Sequence, residues 1–187
     1  MHIKGTLRPM PFSLLFFLSF ILGSLVKLTD DIEDKNLDIH SLYAIPGGLT
    51  YGFAMGYLML FDIDASYLFA GIILGCLITG KIDSRGHYFG ISAILVVIFL
   101  YGIKLSPLVL LIATLAALDE IKDIIHIPKF MDFIFEYRLI LKLGILILVI
   151  LKIMGLNALI ALFGFDIAYI LTGRITRRVF TKTGSKE

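Results

Sequence analysis

An all-α bundle of about seven membrane-spanning helices is the fold this sequence predicts, on three observations. The 187-residue chain is 58% hydrophobic and only 17% charged, where soluble domains run at roughly 45–50% apolar and about 25% charged. Its mean hydropathy is +0.94. The apolar residues form seven runs, at 11–28, 43–61, 65–82, 88–103, 105–118, 139–154 and 156–173, and most charges lie between them. No linker or low-complexity stretch divides the chain, so 1–187 reads as one transmembrane domain with a basic C-terminal tail at 174–187.

A spanning helix needs about 20 residues, within a range of roughly 17–25. The first run follows Lys4 and Arg8, as a signal peptide would. It is longer than the usual apolar core of about 7–15 residues, however, and no clear A-x-A site follows, so it reads as a retained helix. The second and third runs carry Gly52/Gly56 and Gly71/Gly75, small pairs that let helix backbones approach closely. The fourth, fifth and sixth are short and need interfacial residues to complete a span. If the 105–118 run is re-entrant, the count falls to six. The last run holds Asp166 within ALFGFDIAYI. A charge at that depth is expensive and faces the bundle interior. Asp166 is therefore expected to be neutral or paired, with Asn157 or Tyr169 as candidate hydrogen-bond partners, or to serve as an ion or proton site.

Seven spans divide the 17 Lys and Arg residues into 13 on one face and 4 on the other, the four being Lys4, Arg8, Lys104 and Lys152. Cytoplasmic loops carry the excess of basic residues. The prediction is a multi-pass cell-membrane protein with its C-terminus and acidic loops in the cytoplasm and its N-terminus outside. Connectors on the cytoplasmic face are the longer ones, at 29–42, 83–87 and 119–138, and function usually sits on such loops. A net charge of +2 gives no support for a nucleic-acid partner, and one cysteine, Cys76, makes no disulfide framework. The partner that the composition names is the lipid bilayer. It leaves the homo-oligomeric state open.

Three helix ends on the predicted cytoplasmic face carry acids: LTDDIEDKNLD, GKIDSRGHYFG and LDEIKDIIH. If the first helix continues past the membrane, Asp31, Asp34 and Asp38 share a face, and Asp119 and Asp123 share one on another helix. Adjacent carboxylates repel unless a cation or proton lies between them. Mg²⁺ prefers oxygen ligands and typically shares one or two carboxylates with substrate phosphates. The acids thus suggest a metal platform, with Lys35, Lys81, Arg85 and Lys122 as candidates for binding diphosphate oxygens, Arg85 through its planar fork. His87 and His126 are further candidates as ligands or acid/base groups. The competing reading of all these charges is solvated helix ends, salt bridges and topology markers.

The motifs resemble those of the UbiA superfamily of intramembrane prenyltransferases, which carries N/D-D-x-x-D-x-x-x-D and a later D-x-x-x-D at cytoplasmic helix ends. Asp30, Asp31, Asp34 and Asp38 match the first, and Asp119 and Asp123 the second. In the family the motifs follow the second and sixth of nine helices; here they follow the first and fifth of seven. The family's Arg-Pro signature after the first motif has no counterpart, HSLYAIPGG standing there instead. The resemblance implies that these six aspartates hold Mg²⁺, that Asp31, Asp34, Asp119 and Asp123 carry the catalysis, and that the substrate is an isoprenoid diphosphate. The expected function is a Mg²⁺-dependent integral membrane enzyme acting on a phosphorylated lipid or isoprenoid by prenyl transfer.

Two other functions compete. LDIHSLYAIP and GKID loosely resemble a GxGD-type intramembrane aspartyl peptidase with Asp38 and Asp83 as its dyad, although Ile82 replaces the second glycine. An ion or solute transporter would use Asp166 and the acidic face.

Overall fold

Each apolar run becomes one helix, and the residues at its ends decide where it stops. The structure, a computed structural model, describes residues 10–34, 39–120, 133, 135 and 137–180. Seven α-helices are bounded among them: α1 (Phe12–Glu33), α2 (Ala44–Phe61), α3 (Ile63–Ile78), α4 (Arg85–Tyr101), α5 (Leu108–Asp119), α6 (Leu139–Ile150) and α7 (Leu156–Phe180). A single 3₁₀ turn, Ser41–Tyr43, leads into α2, and no strand occurs among the described residues.

Several boundaries differ from the apolar runs, each for a local reason. α1 continues to Glu33, so Asp30 and Asp31 are helical. α3 stops short of 82 because Gly80 takes a positive φ of 71° and the Lys81 N–H closes on the Cys76 carbonyl at 2.9 Å, a glycine-terminated cap. α5 starts only at Leu108, after Pro107; proline's fixed φ and missing N–H suit a helix start. α7 runs to Phe180 over 25 residues, so the basic tail at 174–187 begins as helix.

Contacts at the two ends fix the topology. At one end the Met10 N–H donates to Asp62, Asn157 donates to Asp62, the Gly155 N–H donates to Asp64 and Ser66 donates to the Lys104 carbonyl. At the other end Asp30 meets His87, Lys81 meets Glu120 and Thr176 donates to Asp31. Successive helices therefore alternate in direction, and α5 crosses from the Lys104 end to the Glu120 end rather than re-entering. The seven-helix count holds among the described residues.

The principal pairings are α1 with α7, α2 with α4 and α3 with α5. The last two rest on glycine. A Cβ built at Gly48 would lie 2.0 Å from the Gly86 carbonyl oxygen, and one at Gly52 would lie 2.2 Å from that of Gly90. Gly71 and Gly75 likewise admit Ile112, Ala113 and Ala116 of α5. Leu68, Phe69, Ile112, Leu141, Ile145 and Leu162 fill the centre. Large apolar side chains also point outward, among them Phe17, Phe99 (89% exposed), Leu110 and Ile150. Large exposed apolar surfaces of this kind mark contact with a membrane or a partner. Three helices, Phe12–Glu33, Ser41–Phe61 and Leu156–Val179, are long and apolar enough to cross a membrane.

Candidate functional site

Acids at a helix C-terminus oppose the helix dipole, so the final turn of α1 has to find partners for its carboxylates. Each finds a different one. Asp31 is buried toward α7, where Lys27 lies 2.8 Å away and the Thr176 hydroxyl donates to it. Glu33 accepts the Gly86 N–H at 2.8 Å, at the start of α4 where the dipole favours an anion. Asp30 faces inward: the Tyr169 hydroxyl donates to one of its oxygens, and His87 Nε2 lies 3.0 Å from the other. The Tyr51 hydroxyl lies 2.9 Å from His87 Nδ1. One chain of polar side chains thus joins α2, α4, α1 and α7.

This chain walls a cavity of about 340 Å³ at the acidic end of the bundle, within the range of about 300–1,000 Å³ typical of small-molecule sites. Its ionic lining comprises Asp30, Glu33, Asp34, Asp83 and Glu120 together with Lys27, Lys81 and Arg138. Its floor is apolar, formed by Met55, Ile72, Ile73, Ile91, Ile94 and Phe165. Tyr169 lies between the two zones, with the Lys27 ammonium 5.2 Å and the Arg138 guanidinium 5.5 Å from its ring centre, within cation–π range.

Arg138 links two carboxylates that lie outside the first helix. It sits in the left-handed region at φ 50°, uncommon for a non-glycine residue. Its guanidinium is 3.2 Å from Glu120 and 3.7 Å from Asp166. Burial works against its charge, and the Asp166 and Glu120 carboxylates more than restore it, so its pKa stands above the usual arginine value. Asp166 is paired, though its partners are neither of those expected: Lys142 Nζ lies 2.7 Å away, with Arg138 behind it. Asn157 is at the opposite end on Asp62, and Tyr169 is on Asp30.

The sequence-predicted acids separate in space. Asp30 and Asp34, one turn apart on α1, line the cavity, while Asp31 is turned away to α7. Asp119 is 1% exposed and accepts the N–H groups of Ile140 (3.1 Å) and Leu141 (2.7 Å). It thereby satisfies donors that the start of α6 would leave unpaired. Lys81 lines the cavity, and Arg85 is exposed on the first turn of α4, outside the lining. Lys35, Asp38, Lys122, Asp123 and His126 lie outside the described residues. Among the described residues, no three His, Cys, Asp or Glu side chains are grouped to hold one metal ion. Of the predicted metal-binding acids, Asp30 and Asp34 line the cavity, beside Glu33, Asp83 and Glu120. That fits an ion such as Mg²⁺, which completes its shell with substrate phosphates and water.

Sequence reasoning did not single out Tyr51, Glu120, Arg138 or Tyr169 as site residues. The two tyrosines sit in apolar runs and look like any interfacial aromatic, and Arg138 looks like a topology marker. No protein-family model matches the chain, and neither a curated protein nor a solved structure matches it.

Proposed function

We propose that the protein is a membrane-embedded, Mg²⁺-dependent enzyme that transfers a prenyl group from an isoprenoid diphosphate, working from the cytoplasmic side. One observation carries this reading: a single cavity with ionic walls at its mouth and an apolar floor, matched to a ligand with a charged head and a hydrocarbon tail. Lys27, Lys81 and Arg138, which line the cavity, supply the positive charge that would hold the diphosphate. Asp30 and Asp34 would hold the ion, which would supply positive charge to the departing diphosphate. The apolar floor takes the chain and keeps water from the allylic cation. Tyr169, which lines the same cavity, would offer its ring to that positive charge, a cation–π contribution of about 0.5–2 kcal/mol.

The test is a melting experiment on the purified protein in detergent. Mg²⁺ with geranyl diphosphate is expected to raise the melting temperature, because a ligand that binds only the folded state stabilises it by mass action. Mg²⁺ alone is expected to do little. Asp30→Asn and Asp34→Asn should each abolish the joint shift. Asp119→Asn should lower the starting stability yet preserve the shift, because Asp119 faces the start of α6. An unshifted wild type across several diphosphate chain lengths would sink the proposal.

A further inference from the structure

The lining of the cavity is tiered, one helical turn at a time. On α2, Tyr51 lines its polar level and Met55, four residues further on, lines its floor; on α7, Tyr169 and Phe165 repeat the pattern. Asp30 and Val26 do the same on α1, and His87 and Ile91 on α4. Residues four apart lie one above the other on a helix face, so four helices set a polar ring above an apolar one. A rise of about 1.5 Å per residue puts about 6 Å between the two.

One turn deeper still, the space is closed. Leu22 of α1, Met59 of α2, Phe69 of α3 and Ala161 of α7 occupy that level, each at most 3% exposed, and none of them lines the cavity. Phe165 rests on this layer. Its ring meets that of Phe69 edge-to-face at 5.8 Å and stacks on Tyr169 at 6.2 Å, both within the range in which aromatic rings attract. Three rings thus descend as one column from the polar level into the core. Phe165 cannot move down without displacing Phe69, which is fully buried in a close-packed interior. Met55 is the other long side chain of the floor and is buried as well.

We propose that Phe165 and Met55 set the length of hydrocarbon the cavity accepts, and that the donor carries a dimethylallyl or geranyl chain, not a long polyprenyl one. This rests on the reading of the cavity as a prenyl diphosphate site and names the substrate within it. An apolar level about 6 Å deep takes about four carbon–carbon bonds of roughly 1.5 Å each, the run of one isoprene unit. A second unit fills the breadth of the floor. Later units find no buried place, and carbons left outside an apolar pocket add nothing to binding.

The experiment measures the affinity of dimethylallyl, geranyl, farnesyl and geranylgeranyl diphosphates for the purified protein in detergent with Mg²⁺, from the concentration dependence of the melting temperature. Partition of each chain into the micelle is the same for wild type and variants, so the ratio between them isolates the pocket. Wild type is expected to bind geranyl at least tenfold more tightly than geranylgeranyl diphosphate. Phe165→Ala should shift that ratio at least fivefold toward the longer chain, and Met55→Ala, the second variant should the first fail to fold, should do the same. Ile91→Phe, which fills the floor, should weaken geranyl binding while sparing dimethylallyl. Met59→Ala deletes the same side chain as Met55→Ala one turn deeper, where it leaves a closed void; it should lower the melting temperature without moving the ratio. A wild type that binds all four chains equally overturns this inference alone, since the chain would then leave the cavity between helices. So does a ratio unmoved in both Phe165→Ala and Met55→Ala, or moved as far by Met59→Ala. A wild type that responds to none of the four removes the prenyl diphosphate reading, and this inference with it.

Discussion

Asp166 shows how far a single residue can be read from sequence. Its depth in an apolar run announced a buried group with a partner, because an unpaired charge in the membrane costs at least about 2.5–3.5 kcal/mol on insertion scales. The partner's identity was hidden. Lys142 sits in another apolar run and Arg138 in a connector, both distant in the chain, and only the packing of α6 on α7 brings them together. The same packing makes a prediction. Removing one member of a buried pair leaves the other uncompensated, at a cost of about 3–5 kcal/mol. Asp166→Asn should therefore lower the detergent melting temperature strongly. The double change Asp166→Leu with Lys142→Leu should recover most of it, since Arg138 retains Glu120. A stable Asp166→Asn variant would show that the carboxylate is dispensable to the fold.

At the scale of the element, the glycine pairs on α2 and α3 were legible because a small residue every fourth position has one structural use in a membrane. Their partners were less so. Gly86 and Gly90 lie within GKIDSRGHYFG, whose charges drew attention to chemistry, yet both glycines face the carbonyl-close contact with α2. Asp119 was obscured for a similar reason. Its spacing to Asp123 suggested ligation, while the N–H groups it accepts belong to a helix that starts at Leu139, a relation no local pattern expresses. The α2–α4 contact carries a direct prediction. A methyl group at position 52 would lie 2.2 Å from the Gly90 oxygen and 2.9 Å from the Ala93 Cβ, so backbone has to move. Gly52→Ala should cost about 1–3 kcal/mol by overpacking, visible as a lower melting temperature. Ala54→Leu on the exposed face of the same helix should be close to neutral. Equal stability of the two variants would mean that α2 and α4 are not in tight contact.

For the whole molecule, the alternation of helices was legible and the cavity was not. Seven apolar runs, joined by very short connectors on one face, leave little choice but an up-and-down bundle, and contacts at both ends agree with it. A cavity walled by Asp30, Tyr51, His87 and Tyr169 needs four helices to converge at one depth, and one sequence holds no record of which faces meet. The charge distribution does carry one further consequence. The end of the bundle that bears the cavity also bears Arg85, Arg138, Arg174, Arg177 and Arg178, while Lys104 and Lys152 lie at the other, as expected of a cytoplasmic face under the positive-inside rule. Single cysteines at positions 104 and 178, both exposed, in a Cys76→Ala background would report the orientation. In intact cells a membrane-impermeant maleimide should label position 104 and reach position 178 only after permeabilisation. The reverse pattern would put the cavity outside the cell, away from a cytoplasmic supply of isoprenoid diphosphate, and would remove the cytoplasmic placement on which the proposed transferase depends.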